Sequence, residues 1–531
     1  MVLNLDKVSL RFHLTDKVNS LSKSNWLYIL FVFVGLVTSA YPRWSFMRHI
    51  SSNWRSSQTL LTSFWFKKEG ISLFHAQLPI YGPPWEVPFE FPIYQAISTI
   101  FSNITHLNLT ASSRVVSVAF FYVSAIFLLL LCLEFLDNKT LSSTIFLVYL
   151  WLPYNIRFST EILIDYASVA LALGYIFWIK KYLDSPRNFL LFILAILFGS
   201  LGAMIKITTM PIVIIPAILI TVNGIQTWGI KSEDLTAPKE LVAKISKRKL
   251  SFLLLAAIAI LPILSAGLWI KFTDAIKKSN IFTLWLTSEN LTGWNFGSLD
   301  QKTSFTNWWD WLTKIDNYFF LGGILLIFLL LGIAFLYRMP LKSRCFFGAA
   351  FASVILTIFI FFNLYLHEYY YIAVSAYMSV LIGFGIYCLI KFLLPHKMWW
   401  NVFSGILLFF ILIRGIEQYS EFQNKVQAEI KYVNTKIMPL AKKVAIMTPE
   451  NRYIISFQSL WYPDFMLFAE RKGLIMSPTE YSKYSCELIN KYNYSTIVVV
   501  DSALDTPELL GIFNCFKSVK LVEPGIYKIK Q

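Results

Sequence analysis

Residues 43–70 read RWSFMRHISSNWRSSQTLLTSFWFKKEG, and residues 71–95 continue ISLFHAQLPIYGPPWEVPFEFPIYQ. This stretch follows an apolar run at 26–40 and sets Arg55, Glu69, Glu86 and Glu90 among Trp, Tyr and Pro. Lipid does not tolerate so many polar groups, whereas aromatic rings concentrate at the bilayer interface. The reading is a long outward loop, residues 41–113, with aromatics in the interface and charges facing a cavity. Such a cavity suits a substrate with a lipid tail and a polar head. The alternative is an interfacial loop that only anchors helices.

The rest of the chain fits a membrane setting. Of 531 residues, 56% are hydrophobic and only 15% charged, which excludes an ordinary soluble domain. Apolar segments at 26–40, 114–136, 141–155, 160–179, 188–205, 208–223, 250–271, 318–337, 345–362, 370–390 and 399–416 predict about eleven transmembrane helices. The net charge of +16 falls largely in short links between them, so it sets topology and does not indicate nucleic acid. With the N-terminus cytoplasmic, the basic links around Lys139, Lys180, Lys181, Arg187, Lys342 and Lys391 lie inside. The segments 41–113 and 272–317 and the C-terminus then lie outside the cell's inner (plasma) membrane.

Polar residues collect where the links face outward. Arg157, Glu161 and Asp165 open the fourth span, and the four-residue spacing puts both carboxylates on one helical face. Lys206 stands in MIKITTMP, and His367 and Glu368 precede Tyr369, Tyr370 and Tyr371. A shared cavity accounts for all of them at one membrane depth. Each also has a structural reading: helix caps for the carboxylates, a snorkelling lysine, an aromatic belt. The second outward segment carries Trp294-Asn295-Phe296-Gly297, a turn placed to close over the site.

After residue 416 the composition shifts. YIISF, LIM and STIVVVD predict buried strands, and 421–446 an amphipathic helix, so residues 417–531 form a small α/β domain outside the membrane. Cys486 and Cys515 lie in this region and can pair in an oxidising compartment. Cys132, Cys345 and Cys388 lie in or beside apolar helices as packing residues. No Walker loop, dinucleotide fingerprint, HExxH or CxxC occurs. The sequons at Asn103, Asn108, Asn138, Asn290 and Asn493 are too short to carry weight.

A set of short motifs resembles one family. These are Trp54, Arg55 and Thr59 (Trp-Arg-x-x-x-Thr); Glu90-Phe91-Pro92 with Tyr94; and Arg157-Phe158-Ser159 leading to Asp165. Lys206, Trp294-x-Phe296-Gly297-Ser298-Leu299 and His367-Glu368-Tyr369-Tyr370 complete the set. Over roughly residues 26–416 the chain resembles the bacterial membrane glycosyltransferases of GT-C fold, similar to protein O-mannosyltransferases and lipid A aminoarabinose transferases. The resemblance implies an all-α polytopic catalytic domain, residues 1–416. It also implies transfer, with inversion, of a sugar from a polyprenyl-phosphate donor to a lipid, glycan or protein acceptor on the outer leaflet. Lys206, His367, Tyr370 and Arg55 are then the expected phosphate-side groups, and Trp294, Gly297, Arg157 and Glu161 line the substrate loops. Relatives carry Asp, the expected base, where this chain has Gln58, and an amide cannot accept the proton. Glu90, with Asp165 behind it, is the expected carboxylate. The sequence requires no cofactor, though a divalent metal is possible. The competing readings are a lipid-sugar flippase and, because of Gln58, a noncatalytic scaffold. The flippase predicts repeated halves and polar residues in mid-helix.

Overall fold

The computed structural model describes residues 23–46, 54–228 and 248–393, and most of 431–530. The helices are α1 (Lys23–Phe46), α2 (Trp54–Glu69), α3 (Ile93–Thr105), α4 (Leu109–Leu136), α5 (Lys139–Trp151), α6 (Asp165–Asp184) and α7 (Phe189–Ile205). They continue with α8 (Pro211–Thr227), α9 (Lys249–Lys278), α10 (Leu326–Phe335), α11 (Leu341–Ile360) and α12 (Ile372–Cys388). Several starts are fixed by asparagine caps. The side chains of Asn108, Asn138 and Asn188 accept the amides of Ala111, Leu141 and Leu190, satisfying donors that a helix start leaves orphaned. Two of the sequon asparagines are thus helix caps.

Among the described residues, four helices are long and apolar enough to cross a bilayer: Leu109–Leu136, Lys249–Lys278, Leu341–Ile360 and Glu368–Cys388. α7, α8 and the segment Leu326–Arg338 are apolar but shorter. The eleven expected spans therefore do not all appear as full-length helices, and 399–416 lies outside the described residues. α5 ends at Trp151 because Leu152, with ψ 123°, precedes Pro153, and the residue before a proline is pushed out of the α region.

The expected outward loop 41–113 needs a larger correction, since most of it is helical. α2 buries Arg55, Ser56, Ser57, Gln58, Thr59, Thr62 and Ser63. α3 buries Gln95, Ser98, Thr99 and Ser102 while Ile100 and Ile104 are exposed. α2 is thus buried nearly all round, Leu60, Leu61, Trp65 and Phe66 included, whereas α3 is amphipathic the other way round from a helix of a soluble protein, with its polar stripe packed inward.

α12 is buried on nearly every face and forms the hub of the bundle. Its small residues let neighbouring backbones close in. A Cβ at Gly385 would stand 1.7 Å from the Phe328 carbonyl oxygen of α10. Gly385→Ala is therefore expected to destabilise the protein by roughly 1–3 kcal/mol, read as a lowered thermal midpoint in detergent. An unchanged midpoint would contradict this packing. The basic links cluster at one end of the bundle, where Lys180 and Lys181 pair with Glu134 and Lys342 pairs with Asp137.

The C-terminal region folds as a helix, Met438–Met447, and a five-stranded sheet of order β2-β1-β3-β5-β4. The strands are β1 (Tyr453–Phe457), β2 (Gly473–Met476), β3 (Tyr494–Val499), β4 (Ser518–Glu523) and β5 (Ile526–Lys530). The first three are parallel, and β4 and β5 form an antiparallel hairpin. The expected amphipathic helix at 421–446 is described only in its second half. A disulfide joins Cys486 to Cys515 across 29 residues of sequence. Cys486→Ser should cost this region about 3.6 kcal/mol from loop entropy alone, measurable as a lower urea midpoint; no shift would contradict that assignment. Cys132 and Cys388 pack in the interior, whereas Cys345 is exposed on α11.

The sheet is docked onto the first outward segment. Gly473 and Ile475 donate their amides to the Pro79 and Ile80 carbonyls at 3.1 and 2.8 Å, and Gly82 donates to the Gly473 carbonyl at 3.0 Å. This covers the open edge of β2, which would otherwise present unpaired backbone. Lys472 pairs with Glu69 at 2.7 Å, and Ser57 on α2 donates to Asp464.

Candidate active site

Arg55, Gln58, Thr59 and Thr62 recur at helical spacing along one face of α2. With Glu90 and Gln95 they border a narrow cleft. The Arg55 guanidinium donates Nη1 to Gln58 Oε1 at 2.5 Å and Nη2 to Glu90. Because arginine has only donors, the Gln58 amide must turn its oxygen to Arg55. Glu90 is held from both sides along the chain: the Phe91 amide donates to the Met204 carbonyl at 3.0 Å, and Trp269 Nε1 donates to the Phe89 carbonyl at 3.3 Å.

The Phe91–Met204 bond ties this loop to the last turn of α7, and Lys206 follows two residues later. There the backbone becomes extended, with φ −158° and ψ 92°, ending the helix. The ammonium bonds Asp165, the first residue of α6, and stands 4.3 Å from the Tyr370 ring centroid and 4.9 Å from that of Tyr369. Lys206 is 5% exposed and Asp165 2%, so this is a buried ion pair. Asp165 Oδ2 has no hydrogen-bond partner among the described residues. Lys206 lies in the link between α7 and α8, and burial pushes it down to about 8 against the opposing pull of Asp165, with Arg55 acting as a like charge. Arg55, Gln58, Glu90, Asp165, Lys206 and Tyr370 therefore converge.

The remaining candidates sit around this centre. Arg157 pairs with Glu368 at 2.8 Å, and Tyr154 donates to the Glu368 carbonyl at 2.6 Å, anchoring the segment that carries Tyr369 and Tyr370. His367 is exposed, its ring 5.6 Å from Trp294 and 6.4 Å from Tyr370. Partial burial and the Lys314 charge hold its imidazole below the usual range. Trp294 belongs to a helical turn, Thr292–Phe296, that Gly297 ends with φ 72°.

Glu161 and Asp165 do not share a helical face, because α6 begins only at Asp165. Glu161 sits in the preceding turn, where Ser56 donates to its carboxylate at 3.1 Å and Ser117 to its carbonyl at 2.7 Å. Glu69 and Glu86 pair with Lys472 and His75 on the side of the C-terminal sheet. Sequence reasoning missed Gln95 and Asp464. The polar stripe of α3 was a readable signal for Gln95; nothing local marks Asp464.

Among the described residues no three metal-ligating side chains converge. Asp165 and Glu90 are already engaged by Lys206 and Arg55.

Comparison with solved structures decides the fold. The chain superposes on ArnT from Cupriavidus metallidurans bound to undecaprenyl phosphate with TM-score 0.56 and 12% identity, covering 96% of this chain and 98% of that one. It also matches the archaeal oligosaccharyltransferase AglB from Archaeoglobus fulgidus, in complex with an inhibitory peptide and a dolichol-phosphate. There the TM-score is 0.52 at 11% identity, over 92% of this chain and 71% of that one. The chain has the GT-C fold. A further structure of the Archaeoglobus fulgidus oligosaccharyltransferase, with Zn and sulfate, matches at TM-score 0.53 and 12% identity, over 91% and 69% of the two chains. No family model matches the sequence, and no curated protein does. The GT-C neighbours together with the apolar helices make this a multi-pass membrane protein. Its C-terminal sheet lies beside the helices that build the cleft.

Proposed function

We propose that this GT-C protein is a membrane glycosyltransferase that moves a sugar from a polyprenyl-phosphate donor to an acceptor hydroxyl on the noncytoplasmic face, inverting the anomeric carbon. The observation that carries this reading is the meeting of two cations, Arg55 and Lys206, with two carboxylates, Glu90 and Asp165, beside Tyr370. Transfer from a phosphate leaving group needs little more: a base for the acceptor proton and donors for the departing phosphate. Structural likeness to ArnT and AglB supports the reaction class.

In this mechanism the donor phosphate takes hydrogen bonds from Lys206 and Arg55, with the Tyr370 hydroxyl beside them. The acceptor hydroxyl gives its proton to Glu90, its oxygen bonds to the anomeric carbon, and the carbon–phosphate-oxygen bond breaks. The extra charge settles on the phosphate, where the cations stabilise it. Asp165 keeps Lys206 in place and His367 contributes hydrogen bonds at the mouth. The N-terminus is cytoplasmic and residues 417–531 are extracytoplasmic, in an inner membrane. The test is purified protein in nanodiscs with a polyprenyl-phosphoryl sugar. Release of polyprenyl phosphate with sugar transfer or hydrolysis supports the enzyme. Binding without turnover favours the noncatalytic reading, for which the engagement of Gln58 by Arg55 is the specific observation.

A further inference from the structure

The segment between α9 and α10 holds an 11-residue helix, Phe305–Ile315, that the proposed reaction leaves idle. Its side chains divide into stripes. Trp308, Trp311 and Ile315, three and then four residues apart, turn toward the protein, Trp308 half-buried and the other two buried. Thr306, Asp310 and Thr313 are polar and exposed. Between these stripes lie Phe305, Trp309 and Leu312, bulky and apolar yet 78%, 59% and 53% exposed. The Phe305 and Trp309 rings stack at 6.2 Å. One exposed apolar side chain is ordinary, but a row of them at helical spacing, bordered by polar residues, marks a surface that something apolar covers.

The neighbouring helix indicates what covers it. α11 starts at the basic end of the bundle, where Lys342 pairs with Asp137, and ends at Ile360. Along it Phe351, Ile355 and Phe359, each four residues on, are exposed in a row, as a bilayer-spanning helix presents to lipid. At the end of that row the Lys302 ammonium sits over the Phe359 ring at 4.9 Å, the arrangement of a lysine whose stem lies on apolar surface at a membrane boundary. The helix Phe305–Ile315 begins three residues later, so its apolar stripe runs on from the lipid face of α11.

We infer that Phe305–Ile315 lies in the plane of the bilayer interface on the side of Tyr369 and Tyr370, with Phe305, Trp309 and Leu312 docked among the acyl chains of that leaflet and Thr306, Asp310 and Thr313 in water. A helix with Phe, Trp and Leu on one face and polar groups on the next takes that position. The buried stripe carries the bilayer's hold inward. Trp308 and Trp311 pack on Phe362 at 5.3 and 5.1 Å, Trp311 stands 6.4 Å from Tyr371, and Lys314 donates to the Leu366 carbonyl at 3.4 Å. Lipid thereby braces residues 362–371, which bring Tyr369 and Tyr370 to Lys206. This docking needs only a bilayer around the bundle, and holds whether or not the protein transfers a sugar.

The experiment uses the full-length protein in phosphatidylcholine nanodiscs, with Cys345→Ser to remove the exposed free thiol. Thr306→Cys, Trp309→Cys, Leu312→Cys and Thr313→Cys are each spin-labelled on that background. Electron paramagnetic resonance then compares collisions with oxygen, which concentrates among acyl chains, and with a water-soluble nickel chelate. The oxygen-to-nickel ratio should be several-fold higher at 309 and 312 than at 306 and 313. Equal ratios at all four positions would overturn the docking. So would labels at 309 and 312 shielded from both reagents, the sign that a second copy of the chain covers the stripe. As a second measurement, Trp309→Ser/Leu312→Ser leaves the buried stripe intact and should speed hydrogen exchange of the 362–366 amides by about tenfold. That rate is read relative to the amides of α12, so a general loosening does not imitate the result. An unaltered relative rate would overturn the bracing, and the labelled proteins decide the docking whatever the folding of that variant.

Discussion

Glu90→Gln is expected to lower turnover by roughly 100- to 10,000-fold while leaving donor affinity within a few-fold of the parent. The amide keeps an acceptor oxygen for Arg55 but cannot take a proton from the incoming hydroxyl. Because Arg55 spans Gln58 and Glu90 with two arms of one guanidinium, a carboxylate moved from 90 to 58 stays within reach of the same cation. The double variant Glu90→Gln/Gln58→Asp should therefore regain at least about tenfold over the single one. The measurement is polyprenyl phosphate released from a polyprenyl-phosphoryl sugar, followed by mass spectrometry. Unchanged turnover in Glu90→Gln would remove Glu90 from the role of base. A double variant no better than the single one would show that positions 58 and 90 are not interchangeable about Arg55.

The second large effect is at Lys206. Lys206→Ala leaves Asp165 buried and unpaired, which should cost about 3–5 kcal/mol of stability and so confuse a simple loss of binding. Lys206→Met with Asp165→Asn removes both charges and should restore most of the thermal midpoint. Affinity for polyprenyl phosphate should still be reduced by roughly 10- to 100-fold, because a charge-assisted contact is gone. The ammonium is held at about 8 chiefly by burial, so parent affinity for the phosphate should fall as pH rises from 7 to 9, when the cation is lost. Lys206→Arg should flatten that profile, since a guanidinium stays charged throughout. Tight phosphate binding by the neutral pair, or a flat parent profile, would rule out Lys206 as a phosphate contact.

Much of the bundle is written in the chain as apolar runs. α4, α7, α9, α11 and α12 stand close to where hydropathy puts them, and the break at Thr208-Thr209-Met210-Pro211 is real, with Pro211 opening α8. The region 41–113 was harder because polarity is ambiguous in a membrane protein: Arg55, Gln58 and Thr62 could face water or a protein interior, and only packing decides. The same ambiguity hid Gln95, which lies on the inward stripe of α3. β4 escaped because it is largely solvent-exposed and β5 because it is mostly half-buried, so neither carries a readable alternation. The two ion pairs of the site join Arg55 to Glu90 and Lys206 to Asp165, and residues so far apart leave no local signal of pairing.

The hydrogen bonds from residues 79–82 to β2 carry a consequence for how the protein is made. The segment is synthesised long before Gly473 and Ile475. Until then the strip leading to Glu90 has no β edge to rest on, and Ser57 on α2 lacks the carboxylate that receives it. The seating of this strip thus waits for the sheet, and a nascent chain halted before β2 would hold the helices of the bundle without the hydrogen bonds that fix residues 79–82.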